Sequence, residues 1–176
     1  MCLDTGMRPG EMFALQWVDI DFDRGRVSVK RSLAPGADGK LEVKAVKTKK
    51  GRRQIRLAAL HDHRKRMLAE GHANAPVFCN TVGGFLRLTD LCRNSFKPIL
   101  KRGGLPDIRL CDLRHTCSTL LLLAEENIKV VSERLGHATV TLTLDVYSHV
   151  LDGMQEQAAA KMEKILTHKP LKAVEA

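Results

Sequence analysis

Between Lys44 and Arg56 seven of thirteen residues are basic and none is acidic (Lys44, Lys47, Lys49, Lys50, Arg52, Arg53 and Arg56). The run lies in sequence with a two-residue period. Arg26-Val27-Ser28-Val29-Lys30, Leu41-Glu42-Val43 and Gln54-Ile55-Arg56-Leu57 each alternate polar with apolar side chains, the pattern of a half-buried strand. Turn-forming clusters separate them, Pro35-Gly36-Ala37-Asp38-Gly39 and then Thr48-Lys49-Lys50-Gly51. Three short strands so punctuated predict a small three-stranded antiparallel sheet carrying a basic hairpin. Basic runs are usually solvated loops. Raised on a hairpin, this one becomes a finger suited to a phosphate backbone.

The rest of the chain has the period of helices. Pro9-Gly10-Glu11 opens a short helix reaching Trp17, whose ring is expected in the core. Ala58 to Glu70 is a basic helix ended by Gly71. Thr89 caps a helix with Cys92, Phe96, Ile99 and Leu100 on one side, kinked or broken at a turn by Pro98 and stopped by Gly103-Gly104. Asp112 caps another, with a stripe of Leu113, Cys117, Leu120, Leu121 and Ala124 that leaves Arg114, His115 and Ser118 off the core side. Ile128 to Leu135 ends at Gly136. A last helix near 153–168 places Met154, Ala158, Met162, Ile165 and Leu166 along one seam, which either folds back or packs on another protomer.

With 176 residues of which 44% are apolar, the chain can build one domain with a core. The longest apolar stretch, Leu120 to Ala124, is far too short to span a bilayer. Five scattered cysteines without paired spacing suit a reducing cytoplasm. A net charge of +9 points to a polyanionic partner, nucleic acid first.

Cutting a phosphodiester without a metal requires a nucleophile, cationic donors on the non-bridging oxygens and an acid for the leaving oxygen. Arginine is the best such donor, because its planar fork grips phosphate with two hydrogen bonds. No acidic cluster suits two-metal chemistry. Cys111 and His115 are spaced to share a zinc face, but two further ligands are missing, so no metal is expected.

The ordered motifs carry a resemblance. Thr5-Gly6-Met7-Arg8-Pro9-Gly10-Glu11 with Leu15-Gln16-Trp17, then Val46-Lys47-Thr48-Lys49 with Arg53-Gln54-Ile55-Arg56-Leu57, then Leu113-Arg114-His115-Thr116, then Leu135-Gly136-His137 and Thr143-Leu144-Asp145-Val146-Tyr147 resemble the boxes of the tyrosine recombinases, the phage integrase family. The resemblance implies an α+β, mainly α-helical catalytic domain with a small antiparallel sheet, acting in site-specific DNA recombination. It further implies that Tyr147, the chain's single tyrosine, attacks the scissile phosphate and forms a 3′-phosphotyrosyl link. Arg8 and Arg114 would hold the non-bridging oxygens, Lys47 would protonate the departing 5′ oxygen, and His137 would bond the phosphate. Lys44, Lys49, Lys50, Arg52 and Arg53 would contact double-stranded DNA, with no cofactor. Lys49 or Lys50 replaces Lys47 if the hairpin slips by a small register step. Taken singly, Arg8 is a turn residue, Arg114 an ordinary helix charge, His137 a cap and Tyr147 a boundary ring; the ordered set is what favours the catalytic reading.

Two departures from the family pattern stand out. Cys111 occupies the position of a histidine, which predicts slower cleavage, since a thiol is a poor proton carrier at neutral pH. The family's N-terminal core-binding domain, which clamps the opposite DNA face, is expected to be absent, making 1–176 a catalytic domain alone. In the full-length context the resemblance implies a tetramer on two DNA sites. The competing readings are a weakened DNA-binding remnant and a type IB topoisomerase-like enzyme.

Overall fold

The computed structural model describes residues 1–46, 48, 50–56, 60–151 and 154–167, and within these the side chains outside 146–151 and 154–158. Lys47, Lys49, Leu57, Ala58 and Gly153 lie outside the described residues. The order is α1 (Cys2–Thr5), α2 (Pro9–Phe13), β1 (Ile20–Asp21), β2 (Arg26–Val29), β3 (Arg31–Pro35), β4 (Leu41–Ala45), β5 (Arg53–Arg56) and α3 (His61–Ala69). Then come α4 (Leu88–Leu91), α5 (Lys97–Arg102), α6 (Asp112–Leu123), α7 (Ile128–Leu135), α8 (Val140–Leu151) and α9 (Met154–Thr167).

The sheet is three-stranded and antiparallel, but its membership differs from the expected one. β2 pairs with β1 and with β5, while Leu41–Ala45 pairs with Arg31–Pro35 as a separate two-stranded ribbon. The physical reason is proximity: the Pro35–Lys40 turn joins the segments it directly connects, which leaves β2 to the returning β5. In that register Val27 faces Ile55, and Val27, Val29 and Ile55 close over Met7, Leu15 and Val77. A second apolar cluster gathers Met12, Phe13 and Leu33 around Leu110, and a third joins Leu122 to Val131 and Leu135. Trp17 is only half-buried, its ring stacked 6.4 Å from Phe22.

The helix before Gly103 is broken ahead of Pro98, one of the two outcomes expected there. A π-helical turn, Cys92–Phe96, precedes Pro98, and an extra residue per turn is one way a helix accommodates a missing amide. The chain enters it at Leu88, with Arg87 rather than Thr89 at the N-cap. α6 turns a different face inward from the one the apolar stripe predicted. Arg114, Cys117, Ser118 and Leu122 are buried, whereas Leu120 is 53% exposed. One arginine bound to backbone carbonyls outweighs one leucine, because its polar atoms are satisfied inside. α9 is tied to the end of α6 by Lys161 and Glu125, 2.5 Å apart, and its Met162, Ile165 and Leu166 are exposed. No described helix is long and apolar enough to cross a membrane.

Candidate phosphodiester-cleaving site

The site grows from two left-handed glycines that end helices. Gly6 (φ 66°) closes α1 and Gly136 (φ 70°) closes α7, a conformation that costs an L side chain about 1–2 kcal/mol. Both turns expose carbonyls, and Arg114 from α6 answers both ends. Its Nη1 donates to Gly6 O at 2.5 Å and its Nη2 to Leu135 O at 2.8 Å. Arg114 is 6% exposed, so these bonds hold its guanidinium at the junction of α1, α6 and α7. Gly6 leads by two residues to Arg8, the N-cap of α2.

Arg8 is steered by Glu11, a residue of the first box to which no role was given from sequence. The Glu11 carboxylate is buried (3% exposed), accepts the Arg8 backbone amide at 3.0 Å, and accepts Arg8 Nη1 at 3.1 Å. The Arg8 side chain stays half exposed. Glu11 is also gripped by Arg53, whose Nη1 and Nη2 donate to its two oxygens at 3.2 and 2.8 Å. Burial by itself would raise the Glu11 carboxyl. The hydrogen bonds and charge of Arg53, followed by Arg8, outweigh it and hold the carboxyl below its usual range.

The reading of Arg53 as a DNA contact is therefore corrected. Its side chain is 6% exposed and turned inward, since a buried carboxylate offers a charge-assisted bond that solvent cannot match. Lys50 lies on the surface and donates to Ala138 O at 2.7 Å, while Lys44 and Arg52 are exposed, Lys44 pairing with Glu42 at 2.9 Å. Lys49 and Lys47 fall outside the described residues.

His137 follows the Gly136 turn. Its Nδ1 lies 2.8 Å from the hydroxyl of Thr143, which is fully buried on α8. Burial, then the charges of Arg114, Arg8, Arg53 and His115, depress its pKa from 6.5 to about 4. The ring is thus neutral at pH 7, and when Nδ1 accepts the Thr143 proton, Nε2 carries its own and can donate to an anion. The bonds of Arg114 to Leu135 O and of Arg53 to Arg134 O, with Arg8 and Arg53 sharing the Glu11 carboxylate, link both arginine-bearing segments to the turn that leads into His137. α8 leaves this turn, and position 147 stands one helical turn after Thr143, on the same helix face. The Tyr147 side chain lies outside those described.

Cys111 sits at the N-cap of α6, three residues before Arg114, with Sγ 3.8 Å from Asp112 Oδ1. Asp112 does not cap by itself but binds Arg109, whose side chain and backbone bonds hold its carboxyl at about 2. Among the described residues no three of His, Cys, Asp or Glu gather as metal ligands.

The sequence and the fold both match known proteins. The model of the phage integrase family matches residues 1–154. A XerC-like tyrosine recombinase of Caldanaerobacter subterraneus is 28% identical over 94% of this chain and 48% of its own length. The ICEBs1 integrase of Bacillus subtilis is 31% identical over 92% of this chain and 46% of its own. Among solved structures, the Tn1549 transposon integrase in complex with circular intermediate DNA superposes with a TM-score of 0.76 at 25% identity, covering 93% of this chain and 57% of that one. The XerH site-specific recombinase bound to its difH substrate superposes at 0.63, with 27% identity over 90% of this chain and 44% of that one. The chain thus spans about half the length of the curated relatives it matches. With the family's model matching residues 1–154 and the mainly helical fold in agreement, the chain belongs to the phage integrase family.

Proposed function

We propose that residues 1–176 form the catalytic domain of a site-specific recombinase that cuts and rejoins double-stranded DNA through Tyr147. The Tyr147 hydroxyl gives up its proton to solvent as its oxygen attacks phosphorus, the P–O bond to the 5′ carbon's oxygen breaks, and a 3′-phosphotyrosyl bond replaces it. Arg8 and Arg114 neutralise the two non-bridging oxygens as charge builds, and His137 Nε2 donates to one of them. Lys47 supplies the proton to the departing 5′ oxygen. Attack by the 5′-hydroxyl of a second strand reverses the sequence and conserves the bond energy, so neither nucleotide cofactor nor metal takes part. Arg114 on the Leu135 carbonyl beside Gly136, Arg8 tied through Glu11 to the Arg53 that lies against that glycine, and α8 following His137 carry this reading.

The exposed seam of Met162, Ile165 and Leu166 on α9 suits a helix docked on a neighbouring subunit, in a tetramer that holds two DNA sites within the cytoplasm. Cys111 at the proton-handling position favours a slow enzyme over a fast one. The test is covalent capture on a library of nicked duplexes of random sequence. An adduct that survives denaturant and disappears in Tyr147→Phe supports the proposal; DNA binding without any adduct refutes it in favour of a non-catalytic remnant.

A further inference from the structure

We propose that Arg53 is a positioning residue that keeps Arg8 and His137 ready for phosphate, an inference that rests on the DNA-cleavage reading above. Arg53 uses all three guanidinium nitrogens, and together they reach three parts of the structure. Nη1 and Nη2 hold the Glu11 carboxylate, Nε donates to Arg134 O at 2.6 Å, and Nη1 also meets Gly51 O at 3.2 Å. The last two residues of α7 are thereby held by two arginines from different elements, Arg53 on the Arg134 carbonyl and Arg114 on that of Leu135. The direction in which Gly136 releases the chain toward His137 is fixed from both. Gly136 leaves room for this, since a Cβ there would come within 2.8 Å of Arg53 Nη1.

The electrostatic consequence is specific. Two guanidinium groups share one buried carboxylate, so Arg8, Arg53 and Glu11 together keep one positive charge for a phosphate. Without Arg53, Glu11 has Arg8 as its remaining ion-pair partner within the trio, the pair is neutral, and Arg8 is drawn back onto the carboxylate. Lysine offers a single nitrogen and cannot span the carboxylate and the Arg134 carbonyl at once.

The test uses the duplex that the wild-type chain captures, made either with a normal scissile phosphodiester or with a methylphosphonate there, whose missing charge needs no cation. On the phosphodiester, Arg53→Met should slow adduct formation at saturating DNA by about 30- to 100-fold, the scale of a misplaced catalytic group, with little change in DNA affinity. On the methylphosphonate the difference from wild type should shrink to a few fold. Adding Glu11→Gln should restore part of the rate, because the uncompensated carboxylate is gone. If Arg53→Met does not fold, Arg53→Lys, checked by its thermal melt, takes its place in the same comparison. An equal loss on both substrates with no recovery in the double variant overturns the inference in favour of a merely structural tie. A loss confined to DNA affinity overturns it in favour of a direct DNA contact. Absence of any Tyr147-dependent adduct from the wild-type chain is a different result, which removes the cleavage reading itself.

Discussion

The imidazole Nδ1 of His137 lies 2.8 Å from the hydroxyl of Thr143, and Thr143 is fully buried one helical turn before position 147 on α8. One hydroxyl thus ties the histidine to the helix that carries position 147, the proposed nucleophile. Thr143→Val keeps the shape and removes the hydrogen bond. It should cost about 1–3 kcal/mol of stability through the unpaired nitrogen, and slow adduct formation about tenfold. A melt and a single-turnover cleavage assay check both. A variant with wild-type rate would show that the contact does not orient the ring.

The depressed pKa of His137 makes a pH prediction with a definite sign. Between its ordinary value of 6.5 and the folded value of about 4, the unfolded chain binds a proton there that the folded chain does not. This group therefore favours unfolding as pH falls through that window, and its effect is absent above it. Denaturant titrations should show wild type losing more stability than His137→Gln between pH 6.5 and 4. Bound phosphate opposes the arginine charges, so DNA should raise the His137 midpoint, visible as a shift of its ring resonances.

Cys111 stands at the start of α6, three residues before Arg114 and without a strong proton-carrying side chain. Cys111→His supplies an imidazole that titrates near neutrality. Adduct formation should accelerate by about tenfold or more, toward the roughly hundredfold that marks the low end of what a placed acid or base contributes. A rate unchanged or lowered would show that proton transfer at this position does not limit the reaction.

Arg52 and Arg53 are neighbours with opposite fates, one exposed and one buried against Glu11. Arg52→Ala should weaken DNA binding about equally on all sequences and lower the slope of log affinity against log salt by about 1. Arg53→Met should leave that slope unchanged. Fluorescence anisotropy at several salt concentrations distinguishes them.

How legible this was in sequence depended on which kind of signal each residue carried. Gly136 after an apolar period announced the end of α7, and the helices near Ile128 and Asp112 began within a residue or two of where the pattern put them. Backbone demands leave local marks of this kind. Arg53 left none, since within a run of seven cations it looks like its solvated neighbours. Its distinguishing partner, Glu11, lies 42 residues away. Arg114 was misjudged for a related reason: counting apolar residues places the core face of α6 on Leu120, whereas two backbone carbonyls draw an arginine inward. The strand pairing failed at β3, where Arg31, Ser32 and Pro35 dilute the alternation, so the ribbon with β4 had no partner to be recognised. Long-range polar contacts decided the places of Arg53 and Arg114, and a period along the chain does not encode them.

The most direct measurement is to map the DNA left on the chain after capture by mass spectrometry of its peptides. The expected product is a nucleotide esterified through its 3′-phosphate to Tyr147, with a free 5′-hydroxyl on the released strand. A phosphate bound to any other residue, or a released strand ending in 5′-phosphate, would contradict it.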